Sequence, residues 1–143
     1  MTQIDFYTHV GDKWHTACRL AAKAHARGLR VAVLCADAEA AQKIDRMLWT
    51  ASSTGFIPHC HSTHELAART PVTISHDDNS EPSHDEVLLN LRDTWPPMFS
   101  RFQRLIEIVS TDDSDRASAR DRFKFYRDRG YEIRSHDLSK TET

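Results

Sequence analysis

The spacing of apolar residues alternates between a strand pattern and a helix pattern in the first third of the chain. Residues 4–10 (IDFYTHV) are rich in β-branched and aromatic side chains, and residues 29–35 (LRVAVLC) form a short apolar run; both patterns are typical of strands. After each run, apolar residues recur at helical spacing. The first of these helices is predicted to stop at Gly28 and the second to extend to Trp49. The order strand, helix, strand, helix predicts a parallel sheet covered by helices.

The remaining segments extend this α/β pattern less regularly. Residues 50–70 are polar and contain glycine and proline, which predicts a loop with at most a short helix near residues 64–68. Residues 71–75, 86–93 and 102–110 are predicted strands, although the apolar density of the last two would also suit a helix. The prolines at 96 and 97 must interrupt regular structure between them.

The last helix is predicted to begin after Ser110 or Thr111 as its N-cap and to stop at Gly130. Aspartates fill its first turn, where the helix dipole favours negative charge. Residues 131–138 then supply a closing strand. The prediction is a single α/β domain over residues 1–143, with a flexible loop at 76–85 and a disordered tail at 138–143.

Charge and cysteine content exclude some classes of protein. A formal net charge of −2 gives no general attraction to nucleic acid, so any contact with DNA would have to be local. The three cysteines (Cys18, Cys35 and Cys60) are odd in number, and residues 1–10 resemble no signal peptide. We therefore expect reduced thiols and a cytoplasmic protein.

Catalytic and metal-binding signatures are weak. The first strand-to-helix turn, HVGDKWHT, matches neither common phosphate-binding glycine motif. His59, Cys60, His61 and His64 lie within six residues and could bind zinc, but no second Cys/His pair lies at a zinc-finger spacing, which favours a polar loop in a histidine-rich chain and no metal. No nucleophile, base and orienting group are visible together. A nucleotide- or metal-dependent enzyme therefore stays only an alternative, and no cofactor is expected.

The last helix carries a basic stripe beside an apolar edge. At 100° per residue the stripe residues share one face of the helix; they are Arg116, Arg120, Phe123, Lys124 and Arg127. An ordinary solvated face, neutralised by neighbouring aspartates, is one interpretation. The other is a binding site, because arginine grips carboxylates with two parallel hydrogen bonds and Phe123 offers an apolar contact. The stripe is too short to follow a long DNA backbone and best fits an acidic peptide with an apolar end.

A second candidate surface follows the second predicted helix. Trp49 ends that helix, and Phe56, Ile57 and Pro58 come soon after it in a predicted loop. The loop could fold back over the core, or its aromatic residues could anchor a partner protein, as aromatic residues often do. Two such surfaces without catalytic groups indicate an adaptor.

Short motifs along the chain resemble those of one known family, the chi subunits of bacterial DNA polymerase III. Their order and spacing over about 130 residues carry the resemblance, since no single motif is diagnostic. The matching positions are Phe6 and Tyr7, Gly28 and Val31, Leu48 and Trp49, Phe56 to His59, Pro71 and Ile74, and the run from Arg122 to Gly130.

The resemblance implies a three-layer Rossmann-like fold with a mostly parallel sheet, and a non-catalytic subunit of the clamp-loader assembly without a cofactor. It implies two partners, the psi subunit and the acidic C-terminal tail of single-stranded-DNA-binding protein, which ends in Pro-Phe; a repair helicase is a further partner expected at the psi surface. Residues matching the tail site are Val109, Arg116, Arg120, Phe123 and Lys124, and those matching the psi site are Trp49, Phe56 and Pro58. Direct binding of DNA is not expected, and a single-stranded-DNA binder is kept as an alternative.

Overall fold

A computed structural model describes residues 1–50, 57–76 and 84–139 of the chain. Within these ranges seven strands form one sheet, in the spatial order β3-β4-β2-β5-β6-β1-β7, and every neighbouring pair is parallel. The strands are β1 Gln3–Val10, β2 Val31–Leu34, β3 His59–His61, β4 Val72–Ser75, β5 Val87–Asn90, β6 Arg104–Ser110 and β7 Ile133–Asp137. The helices are α1 Lys13–Ala26, α2 Ala38–Leu48 and α3 Asp113–Asp128, with short 3-10 turns at Ala67–Arg69 and Phe99–Arg101.

The helices cover both faces of the sheet. Buried residues of α1 and α2 share one apolar cluster with one face of the sheet, and buried residues of α3 share a second cluster with the other face. The central strands β2 and β5 are buried along their whole length, as expected for parallel strands covered on both faces. The predicted three-layer α/β domain of Rossmann-like type is confirmed.

Local signals place most helix ends correctly. Gly28 and Gly130 both adopt a positive φ just after α1 and α3, a conformation that glycine reaches without the penalty of a Cβ atom. The predicted start of α3 was wrong by one or two residues. Its N-cap is Asp112, whose carboxylate accepts the backbone N–H of Asp115 at 3.1 Å, whereas Ser110 is the last residue of β6.

One predicted loop contains a strand. Residues 59–61 were predicted to be irregular, but they pair with β4 as the edge strand β3. The predicted short helix nearby is a 3-10 turn at Ala67–Arg69. The predicted flexible loop, 76–85, lies mostly outside the described residues and stays a prediction. The same is true of the predicted tail from residue 140 onward, while Leu138 donates its backbone N–H to the carbonyl of Thr8.

Candidate functional site

The first candidate site lies where β1 and β6 end beneath the beginning of α3. These two strands are neighbours in the sheet, so their carboxyl ends meet at the same edge. The pairing shifts register between Tyr7 and Val10, and His9 adopts a φ of 58° within this irregular segment. Carboxyl ends of parallel strands are the usual place for binding sites in α/β folds.

Hydrogen bonds to Asp115 fix α3 against this edge. Its carboxylate accepts a hydrogen bond from the backbone N–H of Ser110 at 2.8 Å and forms an ion pair with the ammonium of Lys13 at 3.0 Å. Burial raises the pKa of Asp115, but the bond from Ser110 and the charge of Lys13 outweigh this effect, and the net pKa lies below the ordinary value of 3.8. The β6–α3 turn is therefore held by a carboxylate that stays ionised.

A cavity of about 240 Å³ opens between the strand ends and α3. We call it the α3 groove; its lining residues are Phe6, Thr8, His9, Val109, Arg116, Ala119, Arg120 and Phe123. Val109 and Ala119 are buried and form part of its apolar wall. Phe123 is half-buried and meets the ring of Phe6 edge to face, with ring centres 5.3 Å apart.

Cations lie along the rim of the α3 groove. Arg116 is about half exposed and reaches Asp113 only at 3.8 Å, a long contact with a fully exposed carboxylate. In the part of the chain that the structure describes, Arg120 and Lys124 form no ion pair, and both are exposed. The described aspartates therefore leave Arg120 and Lys124 unpaired, and Arg116 has only its long contact with Asp113.

The predicted tail-site residues divide into two groups. Val109, Arg116, Arg120 and Phe123 line the α3 groove together, whereas Lys124 lies one turn after Arg120 on the exposed surface of α3 and does not line it. The sequence did not predict that Phe6, Thr8 and His9 of β1 would line the groove. The end of this strand mixes apolar and polar residues, and that pattern does not indicate which helix will cover it.

A buried charged network beneath α3 was also missed. Arg122 donates from Nε to Glu107 Oε1 at 3.0 Å, and the two side chains are 1% and 0% exposed. The other carboxylate oxygen accepts the Tyr126 hydroxyl at 2.6 Å and the Asn90 amide at 3.0 Å. This network binds α3 to β5 and β6 and so holds the cationic face of α3 outward.

The second candidate surface is only partly described. Trp49 is 60% exposed, and its ring meets that of His59 edge to face at 5.2 Å. Ile57 is buried in the core and Pro58 is half-buried, so this part of the loop does fold back onto the domain. Phe56 lies outside the described residues, and its predicted role stays untested.

The histidine-rich segment has structural contacts of its own. His59 is bonded to the carbonyls of Ile57 and Asp45, at 2.7 and 3.0 Å. Among residues 1–50, 57–76 and 84–139, no group of three or more His, Cys, Asp or Glu side chains is placed to hold a metal ion. Burial raises the pKa of the Cys18 thiol to about 11 and that of Cys35 to about 12, so neither is suited to act as a nucleophile.

No helix in the described ranges has the length and apolar character needed to cross a membrane.

Comparisons with known proteins agree on one family. The sequence model for the family described as "DNA polymerase III chi subunit, HolC" matches residues 1–134. The chi subunit of DNA polymerase III from Pseudomonas aeruginosa is 36% identical over 96% of the chain and 98% of its own length. The chi subunit from Haemophilus influenzae is 30% identical, over 85% of each chain, and that from Escherichia coli is 28% identical over 81% of the chain and 79% of its own length.

These matches span the strands and helices that build the α3 groove, and the resemblance seen in the sequence motifs is confirmed. The chain belongs to the family of DNA polymerase III chi subunits.

Proposed function

We propose that this chi-family chain is a non-catalytic adaptor that joins the psi subunit to the acidic C-terminal tail of single-stranded-DNA-binding protein during DNA replication. The α3 groove would receive the tail, and the surface around Trp49 would receive psi. The observation that carries the proposal is the convergence of Val109, Arg116, Arg120 and Phe123 on one cavity. Helical spacing already put Arg116, Arg120 and Phe123 on one face, and the fold brings Val109 from the end of β6 to the same cavity.

The size and lining of the α3 groove suit an aromatic side chain. An apolar cavity of about 150 Å³ can hold a benzene molecule, and the α3 groove, at about 240 Å³, is larger. Phe6 and Phe123 already contact each other edge to face on one side of the groove. A third ring inserted beside Val109 would gain similar aromatic contacts and would be removed from contact with water.

The cations on the rim suit carboxylates. Arg116 and Arg120 lie one turn apart and both line the groove, so they can approach the terminal carboxylate of a peptide whose last ring occupies the cavity. Lys124, one turn further along α3, would then face acidic residues that precede the terminus. The predicted contact of Lys124 is therefore with the acidic part of the tail and not with its last residue.

The sharpest test compares two acidic tail peptides, one complete and one lacking its terminal phenylalanine, by isothermal titration or fluorescence anisotropy. We expect a dissociation constant in the micromolar range for the complete peptide, about −8 kcal/mol, and binding at least about tenfold weaker for the shortened one. Raising the ionic strength should weaken both, because the rim charges are exposed.

Variants of the rim show whether the groove itself binds the peptide. Arg120→Gln should weaken the complete peptide by about 1–3 kcal/mol, the usual contribution of a charge-assisted hydrogen bond. Arg69→Gln is the matched control, since Arg69 is also exposed but lies in the 3-10 turn before β4, whereas α3 packs on β6. Equal affinity for both peptides, or equal binding by both variants, would contradict the proposed site.

A further inference from the structure

Helix α1 belongs to a strongly basic segment that the proposed function does not use. Residues 13–36 contain five lysines and arginines and no aspartate or glutamate, although the whole chain has a net charge of −2. Three of the five, Arg19, Lys23 and Arg27, follow one another at intervals of four residues and therefore lie along one side of the helix. All three are exposed, and in the described ranges none forms an ion pair with a carboxylate.

These cations border a groove between α1 and the sheet. A cavity of about 330 Å³ includes Arg19 and Lys23 in its lining, and a smaller one of about 50 Å³ includes Lys23 and Arg27. Tyr7, Leu20 and Lys23 line both cavities, so the two lie next to each other, and we call the pair the α1 groove. From Arg19 to Arg27 the helix rises about 12 Å, at ~1.5 Å per residue.

Tyr7 is the aromatic residue that lines the α1 groove. The ring of Tyr7 on β1 stacks on the ring of His136 on β7, with centres 4.6 Å apart and an angle of 19° between planes. Asp5 holds His136 in place through a contact of 3.0 Å and also pairs with Arg104 at 2.7 Å. Because Asp5 neutralises Arg104, the basic character of the groove comes from the three α1 side chains.

Although the family resemblance gave no expectation of direct DNA binding, we propose that the α1 groove is a binding site for single-stranded DNA, with the phosphates along Arg19, Lys23 and Arg27 and a base against Tyr7. Exposed cations beside an aromatic ring are the combination that sequence-independent single-strand binders use. An acidic peptide would satisfy the cations but would offer no planar group to the ring of Tyr7. The groove lies on the α1 face of the sheet and the α3 groove on the opposite face, so one domain can hold DNA and a protein tail together.

The test uses a fluorescein-labelled oligothymidylate and the purified full chain, with anisotropy as the readout at low ionic strength. We expect weak, saturable binding whose affinity falls with salt at a log–log slope of about −2, the value for three phosphate contacts at ~0.7 each. The triple variant Arg19→Gln, Lys23→Gln, Arg27→Gln should lose about tenfold or more in affinity. Glutamine keeps good helix propensity, so α1 should fold unchanged, which circular dichroism verifies.

Two controls separate a specific groove from general attraction. The triple variant Arg69→Gln, Arg127→Gln, Arg129→Gln changes the net charge equally at exposed sites outside α1, in the turn before β4 and at the end of α3, and should keep full affinity. Tyr7→Leu tests the stacking, and its loss should be about fivefold or more for DNA. Oligoglutamate should compete only weakly.

The proposal is overturned if the two triple variants bind alike, if no saturable binding occurs, or if oligoglutamate competes as well as the oligothymidylate itself. The last result would assign the α1 groove to an acidic protein segment. None of these outcomes bears on the α3 groove, because the tail peptide is absent from the assay.

Discussion

Arginine plays two opposite roles within one turn of α3. Arg120 is exposed on the rim of the α3 groove, whereas Arg122, two residues later, is almost fully buried against Glu107. Side chains two residues apart on a helix point to different sides, and this difference decides the role of each arginine. A substitution at Arg120 should therefore affect binding, and one at Arg122 should affect stability.

Arg122→Met tests this division. It would leave Glu107 as a buried carboxylate without its cation, which typically costs about 3–5 kcal/mol of unfolding free energy. Urea unfolding followed by circular dichroism measures this loss. Arg120→Met, the exposed counterpart, should change stability little.

The double variant Glu107→Gln, Arg122→Met keeps the result interpretable if the single variant fails to fold. Glutamine removes the uncompensated charge and can still accept hydrogen bonds from Tyr126 and Asn90, so part of the lost stability should return. If Arg122→Met were as stable as Arg120→Met, the buried pair would not hold α3 in the way described.

At the scale of secondary-structure elements, the β6–α3 turn positions the candidate site. Asp115 bonds the backbone of Ser110 and the ammonium of Lys13, so it ties the end of one strand to the starts of two helices. Asp115→Asn removes the charge and one acceptor oxygen. We expect a loss of about 1–2 kcal/mol in the free energy of unfolding near neutral pH.

The pH dependence of that loss identifies its cause. The pKa of Asp115 is depressed in the folded state, so its contribution is complete above the unfolded pKa near 3.8 and disappears as the pH falls through the lower folded value. The stability gap between the two proteins should therefore close in acid. Asp113→Asn, at a fully exposed position, is the control and should show a smaller gap. A difference in stability that stays constant as the pH falls below the folded pKa of Asp115 would contradict an electrostatic origin of the loss.

Elements with strong local signals could be predicted from the sequence, and those set by their surroundings could not. The buried strand β2 is a continuous apolar run, and α1 and α3 end at glycines with positive φ, whereas the pattern of β5 would also have suited a helix. Strand β3 is only three residues long, His-Cys-His, and half-buried at the sheet edge, so it carries no apolar pattern. The contribution of His9 to the α3 groove depends on a register shift that no sequence pattern reports.

At the scale of the whole molecule, the fold separates the candidate surfaces. The α3 groove lies at β1 and β6, while Trp49 follows α2 and contacts His59 of β3, the strand at one end of the sheet. Helix α2 packs on the face opposite α3. A partner seated on Trp49 therefore has no need to displace a peptide from the α3 groove.

Bridging requires that the two partners bind independently, and reciprocal variants can measure this. Trp49→Ala should weaken capture of purified psi by about 30-fold or more, the effect of losing an aromatic hot spot of ~2 kcal/mol, and should leave the affinity for the tail peptide within about twofold. Arg120→Gln should weaken binding of the tail peptide and leave capture of psi unchanged. A titration of tail peptide into the preformed complex with psi completes the test. Unchanged affinity for the peptide supports a bridge. Mutual exclusion would show that both partners compete for one surface and that the chain is not an adaptor between them.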